Sequence, residues 1–170
     1  EGYIGFIRGQ LPRVEAKKPN DLPASRLFAG TGQACLNTDI TDANNDVQVV
    51  FKSSPFGTQS HGYEANNSFL LWAYGQRLLI RSGYRDIYGS DHHQNWMWTT
   101  RSTNCITVGG RGQRKHTATA QGRITAFETT PTIDIVVGDA GDAYEPEAGV
   151  ELFKRAILFV KPDLVVVYDR

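Results

Sequence analysis

The stretch NNSFLLWAYGQRLLIRSG (residues 66–83) decides the fold. Two apolar runs, residues 69–73 and 78–80, flank the connection Tyr74-Gly75-Gln76, and this pattern predicts a β-hairpin. Similar short runs, rich in β-branched and aromatic residues, recur between turn signals along the chain. They lie at residues 47–52, 105–108, 123–127, 133–137, 156–160 and 164–168, with Lys161-Pro162-Asp163 as a tight connection between the last two.

These runs predict an all-β protein, an antiparallel β-sandwich of two packed sheets. No amphipathic period of 3.6 residues lasts the roughly 10 to 12 residues that a helix needs. We assign residues 22–170 to the sandwich and residues 1–21, with their Pro, Gly and scattered charge, to a lead-in or linker. Because the chain starts without methionine and stops after an apolar run, we expect it to be a piece of a longer protein.

The composition argues against two classes of partner. The 170 residues carry a formal net charge of zero, so the basic field that nucleic acids or anionic membranes require is missing. No apolar run approaches the roughly 20 residues of a membrane span, and no signal-peptide pattern opens the chain. We expect neither partner.

Cys35 and Cys105 have no local motif and are either a disulfide or two small buried apolar residues.

Residues 82–103 form a long polar and aromatic segment, SGYRDIYGSDHHQNWMWTTRST, that is too long for a simple turn. Long loops on β scaffolds often carry function. Its aromatic side chains either line a sugar-binding cleft or anchor the loop to the sheet, and composition alone favours neither interpretation. These side chains are Tyr84, Tyr88, Trp96 and Trp98.

The histidines differ in their surroundings. His61 precedes a core strand, where it either faces a cleft or caps and packs, and its position alone favours the second interpretation. Adjacent residues His92 and His93 point to opposite sides of an extended segment, so they do not form a metal-binding pair by themselves. His116 is predicted to be a polar strand or turn residue. Glycine-rich phosphate loops and zinc-peptidase or serine-hydrolase motifs are absent from the sequence.

Several longer motifs together point to a family. DLPASRLFAGTG, FKSSPFGTQSHG, NNSFLLWAYGQRLLIRSGY, YGSDHHQNW and TNCITVGGRGQ follow one another, and GDAGDAY and RAILFVKPDLVVVYD come after them. In this order the chain resembles the C-terminal β-domain of the heparinase II/III-like polysaccharide lyases. The resemblance implies a secreted or periplasmic enzyme that cleaves uronic-acid polysaccharides by β-elimination. It also implies an α/α-toroid domain upstream, with the active site between the two domains.

The resemblance also carries over to individual residues. His61 matches the first histidine of the family motif around SHGYEANNSF, which implies a role as base or carboxylate-neutralising residue. Tyr63, Arg81 and Thr103 stand where metal-containing members have a histidine, an aspartate and a histidine. Because a cation at Arg81 would repel Zn²⁺, we predict that zinc is absent. We predict that Arg81 takes over part of the zinc charge, paired with Glu64 and hydrogen-bonded to Tyr63.

The sequence thus predicts the β-domain of a lyase that acts on an acidic polysaccharide of the glycosaminoglycan or alginate class, without a cofactor. His61 is the predicted catalytic residue, and this piece alone is expected to have little or no activity. The predicted substrate contacts are Tyr63, Arg81, Tyr84, His92, His93 and Trp96. The alternative is a non-catalytic carbohydrate-binding or structural β-sandwich derived from such a lyase.

Overall fold

The computed structural model describes residues 2–9, 15, 17–59, 61–83 and 87–170. In these residues the strands form two antiparallel sheets, which confirms the predicted all-β fold. The first sheet has the order β1-β2-β3-β4-β5, and the second has the order β6-β7-β8-β9. The bounds are β1 Arg26–Phe28, β2 Gln33–Asn37, β3 Val47–Lys52, β4 Ser68–Ala73, β5 Gln76–Leu79, β6 Arg123–Thr129, β7 Ile133–Asp139, β8 Lys154–Val160 and β9 Leu164–Asp169.

Short helical segments lie outside the sheets. The α-helix α1, Tyr3–Gly9, lies in the lead-in, where the sequence showed no helical period, and none of its residues is buried. A π-helical turn, His93–Met97, interrupts the long loop. The 3₁₀ turns are Pro19–Asp21, Thr100–Ser102, Gly141–Ala143 and Pro146–Ala148. In the described part of the chain, no helix has the length and apolar character to cross a bilayer.

The core lies between the two sheets. Alternate residues of β3 are buried, and Phe51 meets Phe159 and Ile157 of the second sheet in one cluster. The strand period of two turns the intervening residues of β3 outward, so the opposite face of this sheet is free to form a site. The two sheets approach closely at Gly138, where an added Cβ would lie 2.6 Å from Phe51 Cζ.

Most predicted strands agree with the structure, but residues 105–108 do not form one. Their backbone groups bond to turns and side chains instead of a neighbouring strand: the Cys105 N–H donates to Thr103, and the Ile106 carbonyl accepts from the Tyr144 hydroxyl. Strands β1 and β2 were not predicted, because they are short and border a turn-rich segment. Cys35 and Cys105 are both free thiols.

Candidate functional site

His61 is exposed on a turn that is fixed to the sandwich on both sides. Before it, the buried Thr58 donates its backbone N–H to the Thr117 carbonyl at 2.8 Å. After it, the Glu64 N–H donates to the Trp98 carbonyl at 3.0 Å. A side chain that is open to solvent on an anchored backbone has the placement that a functional residue needs.

The link from this turn into β4 is held by two buried asparagines. Asn66 Oδ1 accepts the Ser54 N–H at 2.8 Å, while its Nδ2 donates to the Ala120 carbonyl at 2.7 Å. Asn67 has a φ of 61° and donates Nδ2 to the Gly138 carbonyl of the second sheet at 3.2 Å. Both side chains are fully buried, so these bonds replace those that water would make. The head of β4 is therefore tied to both sheets.

A cavity of about 250 Å³ opens beside this segment on the outer face of the five-stranded sheet. Part of its floor is a row of cross-strand neighbours, since Gln33 pairs with Lys52 and Lys52 pairs with Ser68. The cavity brings together Tyr63, Arg81 and Thr103, the three positions that the resemblance assigned to metal ligands. The other lining residues are Val50, Ala65, Leu70 and Asn104.

Arg81 and Tyr63 contact each other directly in this cavity. The Arg81 guanidinium carbon lies 3.9 Å from the centroid of the Tyr63 ring, and Nη1 donates to the Met97 carbonyl at 3.1 Å. This is a cation–π contact, in place of the predicted hydrogen bond to Tyr63. The predicted pairing of Arg81 with Glu64 is wrong. Glu64 does not line the cavity, and its Oε2 accepts the Thr100 N–H at 3.4 Å.

Glu64 is a buried carboxyl group with an unusual environment. Its side chain is 5% exposed, and Oε1 has no hydrogen-bond partner among the described residues. Burial raises the pKa of Glu64 to about 7, against the opposing effects of the Thr100 N–H, Lys115 and Arg101. The carboxyl group therefore gains or loses its proton close to neutral pH.

The loop at residues 82–103 presents the remaining predicted contacts in different ways. Trp96 is half-buried and packs on the backbone at Gly83, where an added Cβ would lie 2.6 Å from its Cδ1. His92 is exposed. Tyr84, another predicted substrate contact, lies outside the described residues.

His93 is packed into an aromatic cluster. It is 2% exposed, its ring centroid lies 4.2 Å from that of Trp98, and its Nδ1 accepts the Gly89 N–H at 3.1 Å. His116 lies in a turn with a φ of 45°, and its ring centroid is 3.9 Å from that of Trp98. Tyr88 adds a fourth ring, 4.7 Å from His93. In this position His93 supports the loop and has little surface to offer a substrate.

The cavity residues do not fit a divalent metal. The Tyr63 ring is covered by a guanidinium group, and Thr103 Oγ1 donates to the Thr100 carbonyl at 2.8 Å. Arg81 adds a positive charge to the same cavity, which disfavours a divalent cation. Across the described ranges, no group of three or more His, Cys, Asp or Glu residues is placed to hold a metal ion.

A comparison of this chain with the sequence profiles of protein families identifies its family. The profile of the family described as "Heparinase II/III-like, C-terminal" matches residues 20–170. The chain belongs to this family. A search of curated proteins finds no significant match.

Solved structures share the fold of this heparinase II/III-like domain. The heparan sulfate lyase HepC from Pedobacter heparinus superposes with a TM-score of 0.72 at 21% identity, covering 91% of this chain and 23% of that one. A crystal structure of heparinase III gives a TM-score of 0.65 at 19% identity, covering 85% of this chain and 22% of that one. The chain thus spans less than a quarter of the length of these relatives.

The sequence analysis missed a charged residue of the cavity, Lys52. Lys52 ends an apolar run and has the appearance of an ordinary solvated strand residue. The signal that identifies it is its alternation with Val49 and Phe51, which places it on the face opposite the core. Only the tertiary structure shows that Tyr63, Arg81 and Thr103 lie beside this face.

Proposed function

We propose that this domain is part of a polysaccharide lyase that cleaves an acidic, uronate-containing polysaccharide by β-elimination, with His61 in the active site. The observation that carries the proposal is the exposed His61 on an anchored turn, two residues before a cavity wall that contains Arg81. The family membership and the names of the solved relatives, a heparan sulfate lyase and a heparinase, support the same reaction class.

The chemistry explains why an imidazole suits this position. In β-elimination a base removes the C5 proton of the uronate, the C4–O4 bond breaks, a C4–C5 double bond forms, and O4 takes up a proton. A histidine titrates near neutral pH and can take a proton or, when charged, pair with the uronate carboxylate. His61 serves in one of these two roles, and the remaining acid or base groups come from the upstream toroid domain that the resemblance implies.

The surroundings of His61 support binding of an anionic sugar. Arg81 and Lys52 line the neighbouring cavity, and Trp96 and His92 lie on the adjoining loop. Cations pair with carboxylate and sulfate groups, while aromatic faces pack on sugar rings. We also infer a periplasmic or secreted location, because such polysaccharides are found outside the cytoplasm.

The test is the activity of the full-length protein against heparan sulfate, other glycosaminoglycans and alginate. Turnover is followed by the absorbance of the unsaturated uronate product. The change His61→Ala is expected to lower kcat by at least about 100-fold on the preferred polymer, the usual size of a general acid–base contribution. The matched control is Gln59→Ala, an exposed side chain in the same turn, which is expected to leave kcat unchanged.

Two results would contradict the proposal. Full activity in His61→Ala would remove His61 from the active site. Binding of the polymer by the full-length protein without any turnover would favour the alternative, a non-catalytic carbohydrate-binding domain derived from a lyase.

A further inference from the structure

The cavity on the outer face of the five-stranded sheet is lined by two cations and no described acidic residue. Lys52 rises from its floor and Arg81 from its wall. The rest of the described lining is apolar or neutral, with Val50, Ala65 and Leu70 supplying hydrocarbon surface. An electrostatic interaction in such surroundings is stronger than in bulk water.

Lys52 has no compensating partner in the described part of the chain. Partial burial lowers the pKa of its ammonium group, and no neighbouring charge or hydrogen bond opposes this effect. Its cross-strand neighbours, Gln33 and Ser68, are neutral. A half-buried ammonium without an anion is unfavourable, and a bound anion would remove that penalty.

Arg81 is fixed in place and still able to bind a ligand. The stacking on Tyr63 and the bond from Nη1 to the Met97 carbonyl determine its orientation. A guanidinium group has five N–H donors, and the Met97 bond uses one of them. The donors that remain match the oxygen pairs of carboxylate and sulfate groups.

We propose that this cavity is an anion-binding subsite, in which Lys52 and Arg81 together hold one carboxylate or sulfate group of the polysaccharide. This subsite binds an anion at the positions where metal-containing relatives are expected to bind a cation. The volume of about 250 Å³ suits one acidic group with part of its sugar ring. The source of the acidic group rests on the proposed function, whereas the anion site itself does not.

The decisive variant is Lys52→Gln in the full-length protein. This side chain makes no described bond, so the variant is expected to fold, and its Tm without ligand is expected to be equal or higher because an unpaired charge is removed. Inorganic sulfate is expected to raise the Tm of the unchanged protein and to have a weaker effect on the variant. For Lys52→Gln, the dissociation constant of an acidic oligosaccharide, measured by calorimetry, is expected to be about tenfold or more higher than for the unchanged protein.

The matched control is Lys154→Gln, which removes an exposed lysine from the other sheet and is expected to change neither measurement. Unchanged sulfate and oligosaccharide affinities in Lys52→Gln would overturn the proposal. Weaker sulfate binding with an unchanged oligosaccharide affinity would overturn the polysaccharide source and leave a site for free anions. Stoichiometric zinc in the purified protein, lost on changing Tyr63 or Thr103, would also overturn the proposal.

The outcomes separate this subsite from the proposed function. If Lys52→Gln raises KM for the polymer while kcat is kept, both stand. If the protein does not cleave or bind any polymer, the proposed function fails, and the sulfate measurement still decides whether the cavity binds anions.

Discussion

Glu64 shows how the site combines an exposed and a buried half within four residues. His61 faces solvent, whereas Glu64 lies under the loop with one carboxyl oxygen unpaired in the described structure. The sequence analysis predicted that Glu64 pairs with Arg81, because Arg81 stands at a metal position of the family. In the structure Tyr63 and Ala65 line the cavity, whereas Glu64 does not and accepts the Thr100 N–H instead. The neutral ring of Tyr63, one residue before Glu64, therefore contacts Arg81 in place of the carboxyl group.

The first prediction concerns the pH dependence of stability. The folded-state pKa of Glu64 is raised to about 7 by burial, from an ordinary value of 4.5. Between these values the folded state binds more protons than the unfolded state, so the free energy of unfolding falls as pH rises through this window. The loss is nearly complete about one pH unit above the folded-state pKa and amounts to about 1–2 kcal/mol, after allowance for solvent screening.

The measurement is urea unfolding of the full-length protein and of Glu64→Gln between pH 4 and pH 8, about the range in which this carboxyl group titrates. The variant is expected to lose this part of the pH dependence and to be more stable than the unchanged protein above pH 7. Glu147→Gln, at an exposed position, is the control. Parallel pH profiles for the unchanged protein and Glu64→Gln would show that the buried carboxyl group has an ordinary pKa.

At the scale of elements, one arginine of β8 holds the cavity wall to the second sheet. Arg155 is 5% exposed and donates Nη1 to the Asn67 carbonyl at 2.8 Å and to the Asn104 carbonyl at 2.7 Å. Its Nε and Nη2 donate to the two carboxylate oxygens of Asp169 in β9 at 2.7 and 2.9 Å. The segment before β4, the loop at Asn104 and strand β9 thus meet at one guanidinium group.

The second prediction is that Arg155→Lys lowers the free energy of unfolding by about 2–4 kcal/mol. An ammonium group cannot reproduce the planar fork, so at least one buried carbonyl and part of the Asp169 pair lose their partner. Arg123→Lys is the matched control, since Arg123 pairs with Asp139 at 2.6 Å but its side chain is 62% exposed. The Arg123→Lys change is expected to lower the free energy of unfolding by at most about 1 kcal/mol. Equal losses in chemical unfolding of the two variants would contradict a special role for Arg155.

The strands show which parts of the fold could be predicted from the sequence. Strand β3 was predicted with its observed bounds, because Val47 to Lys52 alternates with period two and is rich in β-branched residues. Strand β2, QACLN, has a weaker pattern and was missed, although it supplies Gln33 to the cavity floor. The run at residues 105–108 has the composition of a strand, but the Tyr144 hydroxyl takes the Ile106 carbonyl, and Arg155 takes the Asn104 carbonyl just before the run.

At the scale of the whole molecule, the site is a surface of the sandwich and not a closed cleft. His61 is exposed, and the cavity beside it lies on the outer face of a sheet. Family motifs predicted His61 and the cluster of Tyr63, Arg81 and Thr103 because motifs record residue types. They did not predict Lys52, because its role depends on cross-strand register and on the loop above it. Burial of such a site from water requires a second surface.

The third prediction follows from this geometry. The chain spans 23% of the length of the heparan sulfate lyase HepC, so any further domain of the protein lies outside these 170 residues. We expect the isolated 170-residue chain to give no detectable unsaturated-uronate absorbance with any polymer of the panel. Under the proposed function the full-length protein is expected to be active, because a second surface would supply further catalytic groups and exclude water.

The comparison needs a measure of folding as well as of activity. Circular dichroism and a cooperative thermal transition of the isolated chain would show that its sandwich is intact, so that lost activity is not simply unfolding. Retained sulfate binding by the same sample would show that the Lys52 and Arg81 cavity forms without the second surface. Turnover by the folded, isolated chain at a rate near that of the full-length protein would contradict the prediction. In that case the exposed face around His61 would hold the complete catalytic set.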